Sequence, residues 1–402
     1  MKTEVLIVGA GPAGSTTAKI LAEKNIQVIL IDKDKFPRYK PCGGGLAFGI
    51  LKQYPYIKNL KSIESYSYGG ILHSANDTYQ VKSVRKHPIV AMIKRENFDN
   101  ELVNLAKDSG VKFLEKKQAK NIQIKQDSAT TFLSDNTTIK SDIVIGADGF
   151  LSCIARKTGL LTSHTYKSVC LLEEFPVSPD ILDEFYTEKR ICHLHARTQG
   201  VYGYGWVFPK KDHINIGIGD YRFPDRNKHP IVNLKSAFDG YIRLLKKTGV
   251  VPKNLQSKNL HGGTLPGWFL KKTYDARVIL IGDAAGFVNP INGEGIHYAM
   301  SSGVIAADVV ADAIKKEQNN ENFLSAYQRK WKQDFGKEFG SLLKGTSTWK
   351  DTDQFIRLLT YDKKLTDICF GIMIGEKQFN DHRFQLLQQY LIASLKKLLR
   401  KK

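Results

Sequence analysis

The sequence predicts a mixed α/β (α+β) fold, in which a parallel α/β domain is interleaved with an antiparallel-sheet domain and followed by a helical region. Residues 4–32 have the pattern of an apolar strand, a glycine turn, a helix and a second strand. Two further apolar strands end in glycine turns, at 141–149 and 276–283. Residues 165–268 have mostly strand and turn patterns, and the chain after residue 317 has helical periodicity.

We expect interleaved domains because the chain contains neither an internal repeat nor a low-complexity linker. The predicted bounds are 1–75, 94–160 and 270–316 for the discontinuous first domain, 76–93 and 161–269 for the sheet domain that binds substrate, and 317–402 for the C-terminal helical region.

The composition is that of a folded protein with a strong basic excess. Of 402 residues, 60 are Lys or Arg and 40 are Asp or Glu, and the net charge of +20 favours anionic partners. The five cysteines are scattered without a CxxC pair, so we expect a reducing compartment, no disulfide framework and no metal site. The chain enters a strand at once and has no apolar run approaching the ~20 residues that span a bilayer. We therefore expect a cytoplasmic protein whose membrane contact, if it has one, is peripheral.

The first glycine turn has the spacing of a dinucleotide site. GxGxxG follows a strand and opens a helix, where the glycines allow a tight turn, close approach of a pyrophosphate and close helix–strand packing. Asp32 ends the second strand, where an acid binds ribose hydroxyls and disfavours a 2′-phosphate. The expected ligand of this Rossmann-like domain is FAD or NAD. Its expected contacts are Gly9, Gly11, Ala13, Gly14, Asp32 and Lys33.

A second strand, loop and helix, VILIGDAAGFVNPINGEGI, favours FAD over NAD. Asp283 ends the strand, where an acid suits the ribityl hydroxyls of a flavin. Gly293, Gly295 and Ile296 open the helix, whose N-terminus would stabilise the negative charge of reduced flavin. NAD enzymes have no such segment, so we expect FAD.

These segments, together with RENFDNEL and IVIGADG, resemble the FAD-dependent oxidoreductases that share the p-hydroxybenzoate hydroxylase fold. The resemblance implies that Arg95 lies near the cofactor and that Asp283 binds the ribityl chain. It also places Asp148 and Gly149 in an internal strand-turn motif, and Ala119 is assigned to the cofactor site with them. Because a second GxGxxG is missing, it implies a transiently docked NAD(P)H, or another reduced carrier, as electron donor.

One strand face near residue 205 is predicted to be aromatic. In YGYGWVFP, residues 202–209, every second residue is Tyr, Trp or Phe, so the rings share one face. Rigid rings suit the wall of a long apolar channel at little entropic cost. The pattern fits the buried face of an ordinary sheet nearly as well.

Two motifs resemble the geranylgeranyl reductase family: KPCGGGL at residues 40–46, and YxWxFP followed by Gly217. The resemblance implies an FAD-dependent enzyme that saturates double bonds of a polyprenyl chain by hydride from reduced flavin and a proton. The chain would be carried by a lipid, diphosphate, chlorin or quinone. The implied substrate contacts are Tyr204, Trp206, Phe208, Pro209 and Gly217.

The resemblance implies a more specific role for Cys42 than for any other residue of the two motifs. The family's cysteine lies beside flavin and substrate, so Cys42, Gly43 and Gly45 are assigned to the cofactor site. An unactivated alkene needs a proton as well as a hydride, and Cys42 or Tyr204 could donate it. The alternative is a small buried hydrophobe, a common environment for free cysteine.

Two other functions stay open at this point. A flavin monooxygenase or halogenase of the same fold would act on an aromatic or apolar substrate, and halogenases carry a related aromatic-x-Trp-x-Ile-Pro stretch. KPCGGGL and Phe208 favour the reductase. The third class is a non-catalytic flavoprotein that carries or senses lipid at a membrane.

Several cations could contact an anionic partner. Arg38, Lys40, Lys210 and Lys211 flank the substrate motifs and could bind a diphosphate or headgroup, or remain solvated surface charges. We expect no nucleic-acid partner, and the sequence does not indicate an oligomeric state.

The C-terminal tail has the pattern of a basic amphipathic helix. It could lie on an anionic membrane, or pack its apolar stripe on the protein. The residues of this pattern are Leu387, Leu391, Leu395 and Leu398, with Lys396, Lys397, Arg400, Lys401 and Lys402.

Overall fold

The computed structural model describes residues 1–161, 167–222, 231–346 and 351–399, with the backbone alone for 343–346. The chain forms two compact units of three segments each. The first comprises Met1–Lys40, Arg95–Thr165 and Leu265–Phe339; the second comprises Pro41–Lys94, Tyr166–Thr264 and Gly340–Lys402. In the described part of the chain, no helix combines the length and apolarity needed to cross a membrane.

The strands are β1 (Lys2–Val8), β2 (Val28–Ile31), β3 (Gly45–Ala47), β4 (Ile63–Ser67), β5 (Gly69–His73), β6 (Gln80–Val84), β7 (Val90–Ile93), β8 (Lys112–Leu114), β9 (Ala119–Ile124), β10 (Ala129–Leu133), β11 (Thr138–Gly146), β12 (Lys167–Pro176), β13 (Cys192–Ala196), β14 (Gly203–Pro209), β15 (His213–Arg222), β16 (His261–Pro266), β17 (Tyr274–Asp275) and β18 (Val278–Leu280). The helices are α1 (Pro12–Glu23), α2 (Phe48–Gln53), α3 (Arg95–Asp108), α4 (Cys153–Lys157), α5 (Pro179–Tyr186), α6 (Leu234–Lys247), α7 (Ile296–Lys315), α8 (Glu321–Trp331), α9 (Lys337–Thr346), α10 (Thr352–Leu359), α11 (Lys363–Met373) and α12 (Phe379–Leu399).

The first unit is built on an eight-stranded sheet with a parallel centre. The strand order is β17-β18-β11-β1-β2-β8, and β10 and β9 continue from β11. β1 pairs in parallel with β11 and β2, as do β2 with β8 and β11 with β18. The central strands are continuous runs of Val, Ile and Leu because both of their faces are buried. The predicted Rossmann-like α/β domain is thereby confirmed.

The second unit contains a seven-stranded sheet, β16-β12-β15-β14-β13-β5-β6, and a three-stranded sheet, β3-β7-β4. The long neighbours β12, β15, β14 and β13 pair antiparallel, as predicted for this region, whereas β13 and β5 pair in parallel. The apolar side of β14 and β15 packs against α6, where Val207 and Ile216 meet Phe238 and Tyr241. The aromatic residues of β14 lie on the other side of these strands.

The compact units divide the chain differently from the predicted bounds. Residues 41–75, predicted in the first domain, join the second unit because β3 and β4 pair with β7 and β5 pairs with β13. The predicted C-terminal region is split: α8 packs Leu324, Tyr327 and Trp331 into the core of the first unit, and residues 340–402 join the second. Local patterns identify elements but not their distant partners.

Candidate active site

An uncapped helix N-terminus marks the glycine turn of the first unit. α1 has Gly11 as its N-cap, and no side chain accepts from its first N–H groups. Gly9 has φ +103°, and a Cβ there would lie 2.3 Å from the carbonyl oxygen of Ala147. A Cβ on Gly14 would lie 1.9 Å from the Gly9 carbonyl oxygen. Only glycine allows the backbone to pack this closely. Because no side chain caps α1, its first N–H groups are available to an anion.

The space beside Gly11 is open and bordered by an arginine. A Cβ on Gly11 would meet no described atom nearer than Arg38 Nη2, at 3.8 Å. Arg38 Nη2 lies 2.9 Å from Asp99 Oδ2, but Arg38 Nη1 is buried and has no hydrogen-bond partner among the described residues. An orphaned guanidinium donor beside an uncapped helix N-terminus fits the pyrophosphate of a dinucleotide. The interpretation of Arg38 as a plain surface charge is wrong.

A buried carboxylate organises the cations around this space. Asp99 is fully buried and accepts from Arg95 Nε at 2.8 Å and Nη2 at 2.7 Å. Burial alone would raise the pKa of Asp99, but Arg95, Arg38 and Lys40 outweigh burial and lower it. Burial, followed by the charge of Arg95, lowers the pKa of Lys40, while Asp283 acts in the opposite direction. The cluster keeps an excess of positive charge, as a pyrophosphate requires.

Asp32 is held at the end of β2. Its Oδ2 accepts from the Ala10 N–H at 2.8 Å and its Oδ1 from the Asp34 N–H at 2.9 Å. The carboxylate is thus fixed beside the glycine turn, where an acid can accept from ribose hydroxyls. Lys33 is exposed and lies 3.1 Å from Asp34.

A second uncapped N-terminus lies at the start of α7 in the same unit. Gly282 has φ +57°, and a Cβ there would lie 3.1 Å from Ala13 Cβ, so the turn before Asp283 packs on α1. Gly295 is the N-cap of α7, and no side chain caps this helix. A Cβ on Gly295 would lie 3.3 Å from Asp283 Oδ1, so the carboxylate lies beside the helix N-terminus. Gly293 precedes it with φ +70°. A carboxylate beside a helix N-terminus suits a ribityl chain and a flavin ring, so these residues fit FAD.

The structure gives Asp148 a definite local role. Its carboxylate accepts from the N–H groups of Cys153 at 2.6 Å and Ile154 at 3.2 Å, and so caps α4. Burial raises its pKa, partly offset by these hydrogen bonds. Gly149 continues the turn with φ +78°, and Ala119 begins β9 in the core of the unit. These residues shape the strand-turn segment; their contact with the cofactor stays a prediction.

In the second unit, the cysteine loop lies on the aromatic face of β14. A Cβ on Gly43 would lie 3.0 Å from Phe208 Cε2 and 3.2 Å from Trp206 Nε1, and one on Gly45 would lie 3.4 Å from Phe208 Cε2. Cys42 is half-buried. KPCGGGL and YxWxFP are separated by about 160 positions, and the fold brings both motifs together in one surface.

The aromatic face is opposite the core of the sheet. Ring centroids are 5.9 Å apart between Tyr204 and Trp206, and 6.4 Å apart between Trp206 and Phe208. Val207, between them, points into the core under α6. The rings therefore lie on the side of the sheet away from the α6 core, and Trp206 is buried there. Tyr202 lies before β14 and stacks with Arg197.

Gly217 is required by the position of the tryptophan. Trp206 and Gly217 are direct neighbours in the β14–β15 ladder. A Cβ on Gly217 would lie 2.1 Å from Trp206 Cζ2, so the indole occupies the space of the missing side chain. The spacing from YxWxFP to this glycine therefore has a steric cause.

A buried amide that sequence reasoning missed joins the two motifs. Asn215 Oδ1 accepts from Trp206 Nε1 at 2.7 Å, and Asn215 Nδ2 donates to the Cys42 carbonyl at 3.2 Å. The same Nδ2 donates to Glu174 Oε1 at 2.7 Å. One side chain therefore fixes both the indole and the cysteine loop. In the sequence, the signal for this network was Glu174, a charged residue within the apolar strand SVCLLEEF. A buried charge requires a buried polar partner, and Asn215 is such a partner.

Lys210 belongs to this network and is fully buried. Its Nζ donates to the Ile93 carbonyl at 2.9 Å and to Glu174 Oε1 at 3.0 Å. The interpretation of Lys210 as a headgroup-binding or surface cation is wrong, because its charge is neutralised inside the unit. Lys211, the next residue, is exposed.

Glu174 should make stability depend on pH. Burial would raise its pKa, but His213, Lys210 and Asn215 outweigh burial and lower it from 4.5 to about 2. A lowered pKa in the folded state stabilises the fold above pH 4.5, and this contribution is lost as the pH falls towards 2. At 1.36 kcal/mol per pKa unit it amounts to about 3 kcal/mol.

We expect Glu174→Gln to be less stable than wild type at neutral pH, and its free energy of unfolding to fall less between pH 5 and 2. Denaturant unfolding at a series of pH values measures both quantities. Parallel loss of stability in the two proteins on acidification would contradict the assignment.

A histidine cluster lies elsewhere in the second unit. His73 contacts Asp77 and His193 through its two ring nitrogens, and Tyr241 Oη contacts His195 Nδ1 at 3.0 Å. Atoms of His73, Asp77 and His195 lie within 4.8 Å of one another, a spacing that an ion could use. The His73 and His195 rings, however, stack at 4.0 Å and 6°, so the lone pairs of their nitrogens lie in two parallel planes and do not converge on one point. Burial lowers the pKa of His193 to about 3 and that of His195 to about 2, and we interpret the cluster as neutral packing.

The α1 N-terminus with Arg38, the carboxylate of Asp32, and the α7 N-terminus with Asp283 are together called the cofactor cradle. Comparison with known proteins also indicates an FAD site in this part of the chain. A family model described as an FAD binding domain matches residues 2–335. The fold, the cradle and this match define an FAD-dependent oxidoreductase.

Similar proteins narrow the class further. A digeranylgeranylglycerophospholipid reductase of Methanococcus vannielii is 30% identical over 82% of this chain and 82% of its own length. An uncharacterized protein of Methanosarcina barkeri is 33% identical over 78% and 76%. The chain belongs to the geranylgeranyl reductase family of FAD-dependent oxidoreductases.

Solved structures share the fold. A geranylgeranyl bacteriochlorophyll reductase-like protein of Thermoplasma acidophilum aligns with a TM-score of 0.76 at 23% identity, over 90% of this chain and 91% of that one. The flavin-dependent brominase Bmp2 aligns with a TM-score of 0.74 at 17% identity, over 100% of both chains. The fold alone therefore does not separate a reductase from a halogenase.

Proposed function

We propose that this protein reduces carbon–carbon double bonds of a geranylgeranyl or similar polyprenyl group carried by a lipid. The observation that carries the proposal is the seating of the Cys42 loop on the aromatic face of β14, with Asn215 bonded to both. The reductase names of relatives at about 30% identity support a glycerophospholipid as the carrier. A diphosphate, chlorin or quinone is the alternative carrier.

The residues of the second unit suit an apolar chain. Tyr204, Trp206 and Phe208 offer rigid ring faces, which bind branched methyl groups with little loss of side-chain entropy. Pro209 ends the strand. Gly217 has no side chain, and the indole of Trp206 occupies the space that a Cβ would fill. These contacts would orient one double bond at a time and exclude water from it.

Saturation needs a hydride on one alkene carbon and a proton on the other. Bound FAD, once reduced, supplies the hydride. We assign the proton to Cys42 or Tyr204, whose side chains belong to the two joined motifs. NAD(P)H, or another reduced carrier, is the proposed source of electrons.

Turnover under air and without oxygen separates the reductase from its rival. We expect anaerobic turnover of a digeranylgeranyl glycerophospholipid, with each product heavier by whole units of H2 in mass spectrometry. A requirement for oxygen, together with a hydroxylated or halogenated product, would overturn the proposal in favour of a monooxygenase or halogenase.

Cys42→Ala tests the assigned proton donor. We expect the variant to keep its FAD, seen in the flavin absorbance, and to lose about 100-fold in the rate of double-bond reduction, since general acid catalysis contributes on that scale. Cys153→Ala, which removes another half-buried thiol from α4, should behave as wild type. Unchanged turnover of Cys42→Ala would remove this residue from the chemistry.

A further inference from the structure

An apolar stripe runs along the outward side of α12. The helix has 21 residues and is therefore about 31 Å long. Its exposed residues recur at steps of three and four, so they form one line along the helix. They are Phe384 at 73% exposure, Leu387 at 58%, Leu391 at 55%, Leu395 at 61% and Leu398 at 65%.

The packed side of α12 is the opposite one. Ala393 is fully buried and Gln389 is 9% exposed, and Ala393 joins a cluster with Leu365 and Phe370. At about 100° per residue, Gln389 and Ala393 lie about 160° from Leu391 around the helix. Surface helices ordinarily bury their apolar side. Packing of the stripe on the protein, one of the two alternatives from the sequence, is therefore wrong.

Polar contacts fix this orientation. Lys396 Nζ lies 2.6 Å from Asp362 Oδ2, and Lys397 Nζ donates to Gln354 Oε1 at 3.0 Å. Both lysines hold the side that packs on α10 and α11. The stripe is consequently presented outward by the fold itself.

The charge around the stripe selects its partner. α12 carries Arg383 over the ring of Phe384, at the start of the stripe, and Asp381 is the single acid of the helix. Lys396 and Lys397 are engaged on the packed side of the helix. The sequence adds Arg400, Lys401 and Lys402, which lie outside the described residues, and the whole chain has a net charge of +20. Two copies of this helix would bring like charges together, whereas an anionic lipid surface attracts them.

We propose that α12 docks lengthwise on an anionic membrane surface, with the stripe from Phe384 to Leu398 inserted at the boundary between headgroups and acyl chains. The proposal rests on the proposed function in one respect, because a lipid-borne polyprenyl substrate lies in that membrane. Docking would bring the enzyme to its substrate without a spanning helix.

Vesicle flotation tests the docking directly. The probes are vesicles of equal parts phosphatidylcholine and phosphatidylglycerol, and vesicles of phosphatidylcholine alone. We expect wild type to float with the anionic vesicles, and the double variant Leu391→Glu/Leu395→Glu to bind them at least tenfold more weakly. Both leucines are more than half exposed, so the variant should fold normally.

The matched control is Gln385→Glu/Gln388→Glu, which adds the same charge to exposed positions off the central line of the stripe. It should retain most of the binding. Activity on a detergent-solubilised polyprenyl lipid distinguishes the two proposals: the Leu→Glu variant should keep this activity and lose activity on the vesicle-embedded lipid. Failure of wild type to float would overturn the docking, as would a wild-type dimer that the Leu→Glu variant dissociates without any vesicle binding.

Discussion

Gly217→Ala should keep FAD bound and lower polyprenyl reduction by at least tenfold. A Cβ at this position would lie 2.1 Å from Trp206 Cζ2 and 2.5 Å from Cε2, so the indole must move. The indole is held by Asn215 Oδ1 at 2.7 Å, and its movement would break this bond. Overpacking and a lost buried hydrogen bond each cost about 1–3 kcal/mol, which the rest of the unit should tolerate. Activity would be lost because the Trp206 ring is displaced from the aromatic face. The cysteine loop would also shift, because Asn215 binds the Cys42 carbonyl as well as the indole.

The control for this prediction lies two residues further on the same strand. A Cβ on Gly219 would meet Trp206 Cζ3 at 3.8 Å, an ordinary contact, so Gly219→Ala should reduce substrate as wild type does. Flavin absorbance, thermal unfolding and product mass spectra should be recorded for both variants. Wild-type turnover by Gly217→Ala would contradict the substrate wall, and loss of folding with FAD would assign Trp206 to the core instead.

Asp99→Asn should be strongly destabilised, with a loss of about 3 kcal/mol in the free energy of unfolding. The carboxylate is fully buried and contacts Arg95 and Arg38. Removing one partner of a buried ion pair leaves an uncompensated buried charge, which costs about 3–5 kcal/mol. We also expect weaker FAD binding, because Arg38 would no longer be held beside the α1 N-terminus.

Asp108→Asn is the matched change on the same helix, at an exposed position. It should alter stability by less than about 0.5 kcal/mol. Denaturant titration of the apoprotein and fluorescence titration with FAD measure the two effects separately. Equal stability of Asp99→Asn and wild type would show that the arginines are not held by this carboxylate.

The cofactor cradle was predictable because its determinants are local. The GxGxxG turn, Asp32 and the Asp283 segment each combine a strand end, a turn and a helix start within a few residues, and the structure places them in one unit. The aromatic face was predictable from alternation alone, since side chains alternate along a strand.

The polar network behind that face depends on pairing between distant strands. Glu174 and Asn215 are direct neighbours only because β12 pairs with β15 in one register. Cys42 meets Asn215 across a separation of 173 residues, which no local pattern encodes. Likewise, the leucine spacing of α12 predicted a stripe, but periodicity carries no information about which side of the helix meets the protein.

The central claim is that a polyprenyl double bond accepts the electrons of the bound flavin. The most direct test reduces the bound FAD without oxygen, adds a digeranylgeranyl glycerophospholipid, and follows flavin absorbance together with the lipid mass. We predict reoxidation of the flavin with a gain of one H2 in the lipid per flavin reoxidised. Reduced flavin that persists with every polyprenyl lipid offered, and is reoxidised only when oxygen is admitted, would contradict the claim.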